Sequence, residues 1–241
     1  MNATRRKPSR GSANESEAAY NQIKELILRG KVEPGEVVSI LYFSHLLQIG
    51  RTPVTSACQR LEAEGMLSII PKKGVLISPL TINDVRDLYE AREAIEVYIG
   101  ERAFQNITAS DTDELRQCIE KQKVMADRGD AFGFMKEDAY FHKYILQRYP
   151  NKTLLSLYDM MNDRIFIVGV MNSKSPARIR ESIREHEEIV DAILASDRER
   201  FLKVLSKNIL RGYYFMAGFS TPSQPVSMGA AGNLPSALPI Y

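Results

Sequence analysis

The sequence contains no tryptophan, two cysteines and three histidines among 241 residues. Cys58 and Cys118 are too few to form a disulfide framework; we interpret both as core residues of a chain that folds in the reducing cytoplasm. No apolar run approaches the roughly 18 residues of a membrane-spanning helix, and the basic N-terminus leads into no apolar segment typical of a signal peptide. Glycine-rich phosphate loops and β–α alternation are also missing, which argues against a nucleotide-binding α/β enzyme.

Charge is distributed unevenly along the chain, although the net charge is only +2. Residues 1–80 carry 11 Lys and Arg against 7 Glu, whereas the remainder carries 21 basic against 23 acidic residues. This asymmetry indicates an anionic partner for the first third of the chain. Residues 1–16 and 219–241 lack hydrophobic periodicity, which predicts disordered tails on either side of two domains, at 17–79 and 80–218.

The segment 17–79 has the pattern of three short helices followed by a hairpin. Apolar residues at helical spacing predict a first helix that ends near Gly30, and Ser39 is placed to cap a second helix. A third helix is predicted to begin with Thr52 as its N-cap and Pro53 at the first helical position. Two apolar runs, 66–70 and 75–78, flank the basic turn 71–74, which predicts a two-stranded hairpin. Together these elements predict a winged helix-turn-helix.

In a winged helix-turn-helix, the recognition helix lies in the DNA major groove and the wing tip reaches the backbone or minor groove. The third helix carries basic, hydroxyl and amide side chains that suit base edges and phosphates, and the hairpin tip is basic. Each feature taken alone is also found on an ordinary solvated helix or a lysine-rich turn. The candidate DNA contacts are Arg51, Thr52, Thr55, Ser56, Gln59 and Arg60 on the helix, with Lys72 and Lys73 at the tip.

The segment 80–218 is helical throughout, and its short connections predict an antiparallel bundle of six helices. The predicted helices span 82–106, 109–129, 131–148, 151–171, 175–195 and 198–217. Residues that favour helix starts occur near each beginning: Asn83, Thr108, Asp130, Asn151, Ser173 and Asp197.

Several polar residues lie on helix faces that are otherwise apolar. A buried charge costs several kcal/mol unless it is paired or binds a metal or ligand, so these residues predict a polar pocket in the bundle core. They are Arg92, Asp138, His142, Arg164, His186 and Asn208.

Asp138 and His142 are one helical turn apart, so both can bind one divalent cation, and His186 on a facing helix can complete a three-ligand site. The other interpretation of the same spacing is a hydrogen bond between Asp138 and His142, with His186 as an ordinary core histidine. Because such ligands also form catalytic zinc sites, a metal-dependent enzyme is the alternative function.

The segments PGEVVS (34–39), GRTPVTSACQRLEAEGML (50–67) and PKKGVLIS (71–78) resemble the DNA-binding domain of the GntR family of bacterial transcription regulators. The resemblance implies that Arg51 and Thr52 contact DNA and that Lys73 and Gly74 sit at the wing tip. This chain departs from the family pattern at three positions: Gln48 replaces a small residue or glycine, Gly50 a serine, and Thr55 an arginine that reads guanine. The departures imply a different operator sequence.

Residues 81–215 resemble the FCD sensor domain of the FadR-type branch of that family, through DAYFH (138–142) and EHEEIVDAI (185–193). The family's final histidine falls on Asn208, a weak ligand. The resemblance implies a divalent cation (Zn, Ni or Mn) and a small carboxylate effector, which Arg92 would hold with Arg164 as a second candidate. It implies a homodimeric repressor whose affinity for double-stranded operator DNA depends on that effector.

Overall fold

The computed structural model describes residues 10–218, which form a winged helix-turn-helix followed by a helical bundle. The predicted fold class is thereby confirmed. Apolar side chains gather in two clusters, one for each part. The helices are α1 Arg10–Leu28, α2 Ile40–Leu47, α3 Arg51–Ala63, α4 Ile82–Ala103, α5 Ala109–Asp127, α6 Ala131–Leu146, α7 Lys152–Asn172, α8 Pro176–Leu194 and α9 Arg198–Met216, with a 3-10 turn at Phe104–Asn106; the strands are β1 Val37–Val38, β2 Leu67–Ile70 and β3 Gly74–Ile77.

The N-terminal helix is longer than predicted. It begins at Arg10, so residues 10–16, which we expected in a disordered tail, are helical. Two contacts hold this end of α1 on α3: the Arg60 Nη1 donates to Glu17 Oε2 at 2.7 Å, and Ala19 is fully buried. The other residues predicted as tails, 1–9 and 219–241, lie outside the described residues.

The wing contains one strand more than the predicted hairpin. Strand β3 pairs antiparallel with β2 on one side and with β1 on the other. Gly74 has a φ of +130°, and a Cβ there would lie 2.3 Å from the Val38 carbonyl oxygen. Glycine therefore permits the close approach of β1 and β3. The sequence pattern missed β1 because two residues are too few for a period-2 signal.

The start of α3 also differs from the prediction. Ser39 caps α2 as expected, accepting a hydrogen bond from the Tyr42 amide at 3.0 Å. Gly50, not Thr52, is the N-cap of α3, so Thr52 and Pro53 are the second and third helical residues. Pro53 is still tolerated because the amides of the first turn have no partner within the helix.

All six predicted helices of the bundle are present, as α4–α9. Two start signals were misplaced: Thr81, not Asn83, caps α4, and Ser175, not Ser173, caps α8. Thr81 forms a capping box with Asp84, which satisfies two backbone amides and so outweighs a lone asparagine. Helix α4 packs against α6, α7 and α9, while α8 packs against α5 and α9. No helix within residues 10–218 is long and apolar enough to span a membrane.

Helix α7 contacts both parts of the molecule. Its Ile167 is buried in the apolar cluster of the winged helix-turn-helix, although α7 belongs to the bundle. Its Asp163 forms an ion pair with Lys24 of α1, with 2.5 Å between Asp163 Oδ2 and Lys24 Nζ. Nearby, the Arg29 guanidinium lies 3.9 Å from the centre of the Phe132 ring of α6. The two parts are therefore joined by packing and charge as well as by the chain at 78–81.

Candidate functional site

Helix α3 separates its core-facing residues from an exposed polar side. Val54, Ala57, Cys58 and Leu61 are buried. Arg51, Thr52, Ser56 and Gln59 are exposed, and within residues 10–218 their side chains make no hydrogen bond. Lys72 and Lys73 are likewise exposed at the wing tip, where Lys72 takes a left-handed conformation. These side chains are available to a ligand outside the chain.

Three other predicted contact residues are engaged inside the domain. The Arg60 guanidinium lies 3.6 Å from the centre of the Tyr20 ring and also pairs with Glu17. The Thr55 hydroxyl donates to the Arg51 carbonyl oxygen at 2.8 Å. Gly74 is half-buried against β1. A role in DNA binding would require Arg60 to leave its ring contact, whereas Gly74 serves the packing of the wing.

A cavity of about 30 Å³ lies in the bundle, with walls from α4, α6, α7, α8 and α9. This is room for about two water molecules, given that one needs roughly 10–15 Å³. Apolar and polar side chains share the walls, and the polar part includes Arg92, Asp138, Asn172, Arg178, Ser182 and Asn208.

Asp138, His142 and His186 come together as predicted, and each offers a ligand atom within 4.8 Å of the others. All three are buried, and among the residues that the structure describes neither His142 Nε2 nor His186 Nε2 has a hydrogen-bond partner. The distance from His186 Nε2 to Asp138 Oδ1 is 3.5 Å. Atoms that share one metal at about 2.1 Å lie roughly 3–4 Å apart, so the three residues fit a divalent cation.

The other ring nitrogen of each histidine is held by a residue that sequence analysis did not find. His142 Nδ1 lies 2.7 Å from Glu96 Oε2, and His186 Nδ1 lies 2.8 Å from Gln122 Oε1. The ring of Phe141 stacks on His186, with centroids 4.2 Å apart. Metal-binding histidines are commonly oriented by such second contacts. Within residues 10–218, Asp138 and His142 form no hydrogen bond with each other, which is what the alternative interpretation required.

The site is electrostatically prepared for a cation. Burial lowers the pKa of His186 to about 3, so its imidazole is neutral at neutral pH, which is the form that binds metals. Burial alone would raise the pKa of Glu96, but Arg92 and His142 hold it near 2, so this carboxylate is ionised. Arg92 lines the cavity as predicted, and its Nε donates to Glu96 Oε1 at 2.5 Å.

Asn208, which stands where the family's last histidine would be, also lies in the cavity wall. Its Nδ2 donates to Glu185 Oε2 at 3.0 Å and to Ser182 Oγ at 3.5 Å. Ser182 in turn donates to Asp138 Oδ1 at 3.4 Å. Asn208 is therefore connected to Asp138, one of the three candidate ligands, through Ser182.

The prediction for Arg164 needs correction. Arg164 is half-buried on α7 and does not line the cavity. It lies near Asp84 at the start of α4, whose pKa is lowered mainly by hydrogen bonds from Thr81 and further by the charge of Arg164. The cavity arginine that sequence analysis missed is Arg178. A signal for it existed, because Arg178 and Ser182 precede His186 by eight and four residues and so share its helix face.

A winged helix-turn-helix with an exposed polar helix face, joined to a helical bundle, is the architecture of a DNA-binding regulator. The family model described as bacterial regulatory proteins, gntR family, matches residues 15–77, and that of the FCD domain matches residues 87–210. The chain belongs to the gntR family and carries an FCD domain. The resemblance found in the sequence is confirmed, and the family consists of transcriptional regulators that bind operator DNA, so the alternative of a metal-dependent enzyme is not supported.

Two similar sequences have names that agree with this assignment, and one similar solved structure shares the fold. The chain is 26% identical over 185 residues to the HTH-type transcriptional regulator YdhC of Bacillus subtilis (strain 168), covering 75% of this chain and 81% of that protein. It is 23% identical over 194 residues to the gluconate operon transcriptional repressor of Bacillus licheniformis, covering 78% and 79%. Among solved structures, E. coli McbR/YncC has a TM-score of 0.72 at 20% identity, covering 85% of this chain and 97% of that one, which supports the fold.

Proposed function

We propose that this regulator is a homodimeric repressor whose operator affinity is controlled by a small carboxylate bound beside a divalent cation in the bundle. The observation that carries the proposal is the pair of buried, unpartnered Nε2 atoms of His142 and His186 next to Asp138. A buried polar atom without a partner costs roughly 1–3 kcal/mol, so a bound cation would remove a penalty that the bundle otherwise bears.

The cation would be Zn²⁺, Ni²⁺ or Mn²⁺, held by Asp138, His142 and His186. When bound, it would supply an open coordination position for an acid oxygen. The side chains around it would position the acid: Arg92 stands in the same cavity, and a guanidinium binds a carboxylate through two parallel hydrogen bonds.

DNA binding would use the exposed side of α3 and the wing tip. Arg51, Thr52 and Gln59 would contact bases or phosphates in the major groove, and Lys72 and Lys73 would contact the backbone. A dimer would read two half-sites related by twofold symmetry, with the bundle as the dimerising surface. Thr55 stands where the family commonly places arginine, so the half-site would differ from the common one.

Coupling between the two parts would run through α7 as well as through the linker at 78–81. Gly169, Asn172 and Ser173 line the cavity, and Ile167, two to six residues before them, packs in the core of the DNA-binding domain. An effector that moves the end of α7 would therefore move a residue that the other domain buries. Typical coupling free energies are about 1–3 kcal/mol, or roughly 5- to 150-fold in operator affinity.

The test starts by selecting a binding site from random double-stranded DNA with the full chain. Replacing Arg51 with Ala should weaken binding to that DNA site by about 1–3 kcal/mol, the usual contribution of a base contact. Arg116→Ala, an exposed change on α5, is the matched control and should leave affinity unchanged. Equal affinity of the Arg51 variant and the wild type would remove this face of α3 from the proposal.

A further inference from the structure

Arg178 differs from Arg92, the other arginine of the cavity, because part of its guanidinium has no hydrogen bond. Its side chain is only 8% exposed, and its Nη1 has no hydrogen-bond partner among residues 10–218. The nearest carboxylate oxygen, Glu185 Oε2, is 3.6 Å away, which is longer than a hydrogen bond. Arg92, by contrast, has a 2.5 Å bond to Glu96.

Glu185 cannot fully compensate Arg178 because it serves other groups too. The Arg211 Nε lies 3.0 Å from Glu185 Oε1, and Asn208 donates to Glu185 Oε2 at 3.0 Å. One carboxylate is thus shared by two guanidinium groups and an amide. Arg211 has a second partner, the more exposed Glu181, at 3.3 Å. Arg178 has none, so it retains the strongest need for an anion.

Arg178 and the candidate metal ligand His186 lie at separate places along one face of α8. Arg178, Ser182 and His186 follow at intervals of four residues, so their side chains project from the same side of the helix. A rise of 1.5 Å per residue separates the Arg178 and His186 backbones by about 12 Å along the axis. Ser182, Asp138 and Arg178 line the same cavity. The cavity therefore connects Asp138, one of the three candidate metal ligands, with Arg178, the side chain that needs an anion.

We infer that the effector is a dicarboxylate, with one carboxylate beside Asp138 and His186 and the other on Arg178. This inference rests on the proposed function, since it needs a bound cation at the first position. A monocarboxylate would leave Arg178 without its anion. The cavity must widen to admit such an acid, and Met135, whose flexible side chain fills the space left by Gly169, lines it.

The test compares acids of matched size and different charge on the full chain loaded with Zn²⁺. Malonate, succinate and glutarate are titrated calorimetrically against their monoamides, each of which lacks one charge. A charged hydrogen bond contributes roughly 1.5–3 kcal/mol, so the best diacid should bind about 10- to 150-fold more tightly than its monoamide.

The variant Arg178→Gln should bring this ratio close to one without changing the Zn²⁺ affinity. Arg180→Gln, an exposed change on the same helix, is the control and should keep the wild-type ratio. Arg178→Lys keeps the charge but loses the bidentate geometry, so its ratio should be intermediate. If Arg178→Gln does not fold, the test uses Arg178→Lys instead. A wild-type ratio of diacid to monoamide affinity in Arg178→Lys would then contradict the inference.

The two levels of the proposal fail in different ways. Diacids and monoamides that bind equally well, and only with Zn²⁺ present, would overturn the dicarboxylate inference and leave the proposed function intact. An unchanged ratio in Arg178→Gln would do the same. If no acid of either kind binds the zinc-loaded protein, the proposed function fails together with the inference.

Discussion

The two domains place their functional polar residues in opposite environments. In the winged helix-turn-helix, Arg51, Gln59 and Lys73 are exposed and the core beneath them is apolar. In the bundle, Arg92, Asp138 and His186 are buried, and each lies next to another buried polar residue. Exposed recognition residues contribute little to stability, because the apolar core provides it. The residues of a buried site, in contrast, contribute to both stability and ligand binding.

One type of ion pair occurs in both environments and allows the comparison to be tested directly. Glu25 on α1 and Arg29, just beyond the end of that helix, are four residues apart in sequence, 2.7 Å apart and exposed; Arg92 and Glu96 are four apart on α4, 2.5 Å apart and buried. Removing one partner of a buried pair costs about 3–5 kcal/mol, because it leaves the other charge uncompensated. Exposed helix pairs contribute about 0.3–0.5 kcal/mol.

We therefore expect Arg92→Ala to have the largest effect, lowering the free energy of unfolding of the bundle by about 3–5 kcal/mol. The change at the exposed pair, Glu25→Ala, leaves the contact of Arg29 with Phe132 in place and should lower stability by about 0.5 kcal/mol or less. Urea unfolding followed by circular dichroism measures both. Similar losses in the two variants would contradict the distinction between the domains. Arg92→Ala is consequently a poor probe of effector binding unless its stability is measured as well.

Loss of a metal ligand should have the next largest effect, and only when metal is present. His186→Ala should abolish the rise in melting temperature that Zn²⁺ gives the wild type, since a ligand at 100 times its Kd stabilises by about 2.7 kcal/mol. His45→Ala, at an exposed histidine of α2, is the control and should keep the full rise. A Zn²⁺-induced shift that survives in His186→Ala would place the metal elsewhere.

Asn208→His should tighten Zn²⁺ binding by roughly tenfold, because imidazole is a better ligand than a neutral amide. The gain is partly offset, since Glu185 loses the hydrogen bond from the Asn208 amide. Competition with a chromogenic chelator measures the affinity. Weaker binding than the wild type would mean that the hydrogen bonds of Asn208 matter more than an additional ligand.

The smallest effect concerns Gln48, which has a φ of 55° at the end of α2. A left-handed conformation costs a non-glycine residue about 1–2 kcal/mol, so Gln48→Gly should stabilise the DNA-binding domain by roughly 0.5–1 kcal/mol after the added entropy of glycine. Gln22→Gly, at an exposed position inside α1, should instead lower the stability of the domain, because glycine disfavours a helix interior. Thermal unfolding of both variants checks the pair.

Local patterns predicted the elements and the three metal ligands, because helix periodicity and capping residues act within a few positions. Asn151 and Asp197 were correct as helix caps for this reason. The partners of the two histidines were not predictable in this way, because Glu96 and Gln122 are 46 and 64 residues away from them in sequence. Arg164 illustrates the same limit: periodicity gave its helix face but not the neighbour that this face meets.

Helix α7 has a consequence for attempts to build hybrid sensors from this protein. A cut at residues 79–80 would separate the domains in sequence, but Ile167 and Asp163 would go with the bundle. The grafted DNA-binding domain would then have an empty space in its core, and Lys24 would lose its shorter ion pair and keep only the 3.5 Å contact with Glu64. The replacement sensor domain should therefore carry an aliphatic residue at the position of Ile167 and a carboxylate at that of Asp163, whatever ligand it binds.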